Sequence, residues 1–283
     1  TINSIKNDIS MRGTTAWILV CSILIASVGL NADSIPVVIG AMLISPLLGP
    51  ILGLGLSISI NDIDTLKTSI INTLVMVVLS IGAAYVFFLV IPIKEESSEL
   101  LARTNPDVRD VLIAFFGGLA LIIAKTKKEN ISSAIFGVAI ATALMPPLCT
   151  VGYYLAEGDL SKAQGAILLF LINTLYIIVA TYLTLKFLRF PLIVYANSKR
   201  RKFIGGIIAL IAITSLVFAI FNFKGIYDES NYNRNADYFL ESELSLLPNG
   251  DYLRKSAKIE YNDGEPKITI NTFGQKPISK EIM

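Results

Sequence analysis

The chain has 283 residues, of which 53% are hydrophobic and 16% charged, with a net charge of +2. Soluble domains carry nearer a quarter charged residues, so the composition points to the membrane class, and the near-neutral balance excludes a basic nucleic-acid binder. Histidine is absent, which removes the commonest metal ligand and the commonest general base, so no metal site, cofactor or catalytic centre is expected.

A spanning helix needs about 20 apolar residues, within a range of roughly 17 to 25. Residues 14–30 form the first stretch without Asp, Glu, Lys or Arg. Lys6 and Arg12 precede it as they would a signal peptide, but no small-x-small cleavage site follows, and it is read as a helix. Residues 35–60 come next, apolar throughout, yet GAMLISPLLGP at 40–50 places two prolines and two glycines in the middle. Residues 68–91 are a third candidate span. Residues 111–124 are shorter and lie between Asp110 and Lys125, whose aliphatic stem can reach an interface. Residues 131–156 repeat the interruption with GVAIATALMPP at 137–147, and residues 163–185 and 203–223 complete seven segments. Cys21 and Cys149 both fall in apolar stretches, where a thiol behaves as a small hydrophobe.

Sliding the chain by 97 positions lays Arg12 on Arg109, Gly40 on Gly137, Leu47 on Leu144, Pro50 on Pro147, Gly55 on Gly152 and Asp62 on Asp159. Ser45 then meets Thr142. The identities are few for two apolar-rich stretches, but Gly, Pro and a post-helix Asp keep their phase without a gap. Beyond them INTL at 71–74 recurs at 172–175, now offset by 101, which implies an insertion of one helical turn near residues 158–163. Each half therefore reads as helix, broken helix, helix.

If every segment spans, one side of the membrane holds Lys6, Arg12, Lys67, Lys125, Lys127, Lys128, Lys186, Arg189, Lys199, Arg200, Arg201 and Lys202, and the other Lys94, Arg103, Arg109 and Lys162. Re-entrant broken segments would move the split only from twelve against four to eleven against five, so the positive-inside rule favours full spans mildly. Residues 35–60 as continuous helix would run about 39 Å, enough for a roughly 30 Å core. Three crossings per half make the halves inverted, with the N-terminus inside. From Lys224 the composition turns polar, and KIEYNDGEPKITINTF alternates about Asn262-Asp263-Gly264, a hairpin signal. This reads as the start of a small α+β domain, incomplete at Met283.

The expected fold is thus an all-α polytopic membrane protein with an internal inverted repeat and a soluble C-terminal α+β portion. Its parts are an N-terminal cytoplasmic segment (1–13), repeat 1 (14–91), a connecting loop (92–110), repeat 2 (111–188), a linker with the seventh helix (189–223) and the C-terminal domain (224–283).

Proline inside a spanning helix removes a backbone donor and clashes with the preceding turn. In lipid, freed peptide groups are tolerated only where they are buried in protein or line a polar cavity. Two such breaks in opposed halves would meet near the midplane, the construction of many secondary transporters. The candidate binding residues are Ser45, Pro46, Gly49 and Pro50 in one half and Thr142, Pro146, Pro147 and Thr150 in the other, with Asn72 and Asn173 nearby. Kinks for packing are the alternative account of the prolines. Asn72 and Asn173 either line the cavity or join helices, and the Thr150 hydroxyl serves either the cavity or its own helix. Asp62 and Asp159 are expected to cap helices, and the glycines at 53–57 and at 117–118 to permit close helix packing. No carboxylate lies within a spanning segment, so a proton relay lacks its carrier.

VVIGAMLISPLLGPILGLG (37–55) and GVAIATALMPPLCTVGYYLAEG (137–158) closely resemble the uncharacterised hydrophobic domain family of bacterial and archaeal membrane proteins, as do LLARTNPD (100–107), AFFGGLA (114–120) and LFLINTL (169–175). The likeness runs from about Trp17 to Tyr182. It implies a polytopic protein of the bacterial inner membrane with a longer C-terminal extension, and supplies neither substrate nor active residues. The expectation is a transporter or channel for a small solute or ion, not an enzyme, in a lipid bilayer and as a homo-oligomer, with the C-terminal domain extracytoplasmic. A membrane-anchored sensor or scaffold, whose C-terminal domain binds a partner, is the alternative.

Overall fold

Proline and aspartate punctuate the membrane part of the chain. The computed structural model describes residues 2–11, 13–91, 96–104, 106, 108–126, 144–191, 231–232, 234–244, 253–254, 257–260 and 267–270. The chain divides into two units, residues 1–219 and 220–283. In the first unit the described helices are α1 (Ile2–Asp8), α2 (Gly13–Asn31), α3 (Ile35–Ile44), α4 (Leu48–Ile60), α5 (Ile63–Val90), α6 (Ser98–Leu101), α7 (Val108–Thr126), α8 (Met145–Glu157) and α9 (Leu160–Phe187).

Helices α2, α5 and α9 are each long and apolar enough to cross a membrane, and α3 with α4 qualifies as a pair bent by 53°. Helix α7 falls short because Arg109, Asp110 and Lys125 crowd its 19 residues. The stretch 127–143, which holds the first part of the second broken segment, and the expected seventh helix at 203–223 lie outside the described residues.

The corner between α4 and α5 recurs between α8 and α9. Asn61 ends α4 in the left-handed region at φ 63°, and Gly158 ends α8 at φ 81°, a conformation that only glycine and a few polar residues adopt readily. The Asp62 amide then donates to the Ser57 carbonyl at 2.8 Å and the Asp159 amide to the Tyr154 carbonyl at 2.9 Å. Each aspartate next caps the following helix, Asp62 accepting from the Thr65 amide and Asp159 from the Lys162 amide, both at 3.1 Å. Leu48 and Met145, Ile60 and Glu157, Ile63 and Leu160, and Val90 and Phe187 are all 97 positions apart. The one-turn insertion expected near residues 158–163 is therefore absent, and Asn173 lies one turn further along its helix than Asn72.

The short helices form the interior. Every residue of α8 from Met145 to Tyr154 is buried, and α4 is buried along most of its length. Both pack on the 28-residue helices α5 and α9, each about 42 Å long. Large apolar side chains on the outer helices, such as Trp17, Val78, Val90 and Phe116, are instead exposed, as expected where lipid replaces water.

Polar contacts gather at two ends. At one, Lys6 pairs with Asp62 at 2.5 Å, Asp8 pairs with Lys125, and the Asn72 amide donates to the Ile9 carbonyl at 2.7 Å. This joins α1 and the residue after it to the ends of α4 and α7 and to the N-terminal turns of α5. At the other, the Ser97 hydroxyl donates to the Leu30 carbonyl at 2.6 Å, and Asp33 accepts from the Ser98 hydroxyl and the Glu99 amide. There Glu96 also accepts from the Tyr154 hydroxyl at 2.6 Å and pairs with Lys162 at 2.5 Å. That second cluster joins residues 96–99 to the ends of α2 and α8 and the start of α9.

In the second unit, residues 231–232 and 234–244 are helical. Strands β1 (Ala257–Glu260) and β2 (Lys267–Ile270) pair antiparallel, with Ala257 opposite Ile270 and Glu260 opposite Lys267. Leu240, Leu244 and Leu253 are buried together with Ile259 and Ile268 packed against them. The turn expected at 262–264 lies outside the described residues.

Candidate functional site at the broken helices

The break after α3 follows from Pro46. Steric exclusion by a proline ring drives the residue before it out of the helical region, and Ser45 sits at φ −69°, ψ 131°. Its amide still reaches the Met42 carbonyl at 3.3 Å, while its Oγ accepts from the Leu47 amide at 3.5 Å. The Gly49 amide turns back to the Pro46 carbonyl at 3.3 Å. Ser45 and Pro46 are half-buried; Gly49 and Pro50 are buried. Helix α8 opens in a related way, with Pro146 and Pro147 in its first turn after Leu144, where the missing donors leave no intrahelical bond unmade. Leu47 and Leu144, the residues before the two helices, belong to one buried apolar cluster.

The other candidates divide. Thr142 lies outside the described residues. Thr150 is fully buried and donates its hydroxyl to the Pro146 carbonyl at 3.0 Å, so it serves its own helix. Gly49 faces Asp8, since a Cβ there would run into the Asp8 backbone, and Asn72 donates to Ile9. Those two seat the N-terminal segment. Asn173 is buried in α9.

Composition alone did not reveal the contacts that hold α4 and α8. A Cβ on Gly55 would lie 2.5 Å from the Thr181 Cβ, and one on Gly152 would lie 2.5 Å from the Ala84 Cβ. Gly55 and Gly152 are 97 apart, and so are Ala84 and Thr181. Each short helix thus touches the long helix of the other half at the matching point, the reciprocity of a two-fold interface. The signal was present as paired spacings, but only the fold joins one pair to the other. On α4, α5 and α9 the buried hydroxyls of Ser59, Ser69, Ser80, Thr174 and Thr181 find no hydrogen-bond partner among the described residues, and each such group costs about 1–3 kcal/mol unless something solvates it.

Among the described residues of the first unit, charged side chains lie at or near the helix ends. Burial pushes the Asp62 carboxyl up, but hydrogen bonds from Lys6 and Thr65 outweigh it and hold the group below the usual aspartate value. At the opposite end the hydrogen bond from Lys162, with that from Tyr154, holds Glu96 below the usual glutamate value. Among the described residues no cluster of three carboxylate or thiol groups could hold a metal ion.

Residues 42–179 match the family described as Domain of unknown function (DUF389). That segment belongs to the family. The DUF389 segment begins just before the break at Ser45 and takes in α4 to α8 and most of α9, leaving α1 and α2 outside it. Over 179 residues the chain is 32% identical to an uncharacterized protein of Methanocaldococcus jannaschii, covering 62% of this chain and 54% of that protein. The chain therefore spans about half the length of this relative. No solved structure matches it.

Proposed function

We propose that this protein is a multi-pass membrane transporter or channel for a small solute or ion, built on an inverted repeat. The observation that carries the reading is the reciprocal packing of two proline-opened helices that run to opposite ends. Helix α4 finishes beside Lys6, and α8 finishes beside Glu96, while Gly55 meets Thr181 and Gly152 meets Ala84. Halves related in this way place their helix starts toward a shared centre, where backbone freed by proline meets a solute instead of lipid. Ser45, Pro46 and Pro50, with Thr142, Pro146, Pro147 and Asn173, are the residues we assign to that centre. Thr150 braces it through the Pro146 carbonyl, and Gly49 and Asn72 hold its N-terminal flank. The unpartnered hydroxyls of α5 and α9 supply polar lining without charge. With charge held to the ends, sodium coupling, ion conduction and passage of a neutral or anionic solute fit better than a carboxylate proton relay. The location is the bacterial inner membrane, with the N-terminus cytoplasmic.

Reconstitution into liposomes with sodium, chloride and glycerol tracers tests the reading. Pro46→Ala with Pro50→Ala and Pro147→Ala removes the ring that turns Ser45 out of the helical region and one proline from the first turn of each short helix, and is expected to abolish flux while the protein stays folded by circular dichroism and gel filtration. Unchanged flux in the folded variant overturns the assigned centre.

A further inference from the structure

The segments that precede α2 and α7 close over opposite ends of the unit in matching fashion. Residues 2–11 bury Ile5 and Ile9 against α4 and α5. There a Cβ on Gly53 would lie 2.6 Å from the Ile9 side chain and 2.5 Å from the Ser69 hydroxyl. The Asn72 amide holds the Ile9 carbonyl, and Asp8 reaches across to Lys125 at the end of α7. Residues 96–104 do the converse. Leu100 is buried, a Cβ on Gly165 of α9 would run into the Thr104 carbonyl, and Ser97 reaches across to Leu30 at the end of α2. Each segment thus latches to a glycine of its own half and to the end of the other half's first helix.

The latches are of a kind that opens. The first is held by one hydrogen bond and two ion pairs, the second by four hydrogen bonds and one ion pair, and the ion pairs are at least partly open to solvent. The side chains of Lys6, Glu96 and Lys162 are between a third and two fifths exposed. Such contacts are worth little individually and yield locally long before the packed helices do. Beneath the first latch lies Ser69, fully buried and without a hydrogen-bond partner among the described residues.

We propose that residues 2–11 and 96–104 are a pair of gates, one at each end of the permeation route, and that the present structure is the state with both closed. The inference rests on the transport reading and adds its means of regulation. Two gates at opposite ends allow a central solute to be released to one side at a time; opening of the first requires Ile9 to leave Gly53 and Asn72, and opening of the second requires Thr104 to leave Gly165.

Cysteine accessibility in the full chain, reconstituted in liposomes, tests the gates without knowledge of the solute. With Cys21→Ser and Cys149→Ser as background, Ser69→Cys reports on the first gate and the fully buried Ala166→Cys, next to Gly165, on the second. Lys6→Ala with Asn72→Ala is expected to speed maleimide labelling of Ser69→Cys about tenfold from the Asp62 side, leaving Ala166→Cys protected. Glu96→Gln with Ser97→Ala should reverse the pattern. Lys6→Arg, which keeps the ion pair, should leave labelling as in the parent. Unchanged labelling overturns the gates, and so does simultaneous exposure of both reporters, which is loss of the fold. Tracer flux measured on the same liposomes separates the two claims. Selective exposure without flux sustains the gates as moving covers and removes the transport reading, whereas flux with both reporters still buried in every variant does the opposite.

Discussion

At the residue scale, a missing side chain decides where α4 and α8 can lie. Gly152 sits so close to Ala84 that any Cβ forces one helix away from the other. Gly152→Val is therefore expected to destabilise the protein by about 1–3 kcal/mol, the usual range for overpacking, and to lower the melting temperature in detergent. Gly40 gives the contrast, because a Cβ there meets nothing within 4 Å and the residue lies inside α3. Gly40→Ala should leave the melting temperature unchanged or raise it, since alanine favours helix by up to about 1 kcal/mol. A fall as large as that of Gly152→Val would show that space is not the controlling variable. Both glycines look alike in sequence. The break at Pro46 was legible there because proline acts locally; the pairing of Gly55 with Thr181 was not, because it joins segments far apart in the chain.

At the element scale, aspartate corners set the lengths of the two long helices. The apolar run alone places the start of α5 at residue 68 and that of α9 at 163, but the caps at Asp62 and Asp159 carry both helices further back. Polar first turns belong to the helix even though they contribute nothing to an apolar window. The repeated INTL misled for a related reason. Four identical residues implied an inserted turn, yet the capped corners keep one spacing from α4 through α9, so the second INTL is a coincidence of apolar composition. The caps are also titratable. Folding lowers the pKa of Asp62 below its ordinary value of 3.8, so the folded state favours the carboxylate. The stabilisation is complete above that unfolded value and is lost as pH falls through the lowered folded value. Asp62→Asn keeps a cap acceptor and removes the charge. It should melt below the parent at pH 7, and the gap should close as pH drops below about 4; a gap that persists undiminished at pH 2 would show that the charge is not what Lys6 and Thr65 hold.

At the scale of the whole molecule, the polar ends bear on a question that the charge count alone left nearly balanced. A re-entrant α3–α4 pair would return Asp62 to the end where α3 begins, beside Asp33. Instead Asp62 pairs with Lys6, and Asp33 lies with Ser98 and Glu99. On the inverted-repeat reading this contact means that the broken pair crosses, that α5 crosses back, and that the corner at Asp159 faces the side opposite the corner at Asp62. Two exposed positions make the point measurable, Asp64 just after the first corner and Leu160, 63% exposed, just after the second. In intact cells lacking native cysteines from this chain, an impermeant maleimide is expected to label Leu160→Cys directly and Asp64→Cys only after permeabilisation. Labelling of both from one side would place the two corners together and make the halves parallel. The reciprocal contacts of Gly55 and Gly152 would then describe an axis along the membrane normal, and the starts of α4 and α8 would lie at the same depth by that symmetry alone. A parallel pair with both corners on one face has no second end to open, so this labelling result also decides whether alternating release is geometrically available to the protein.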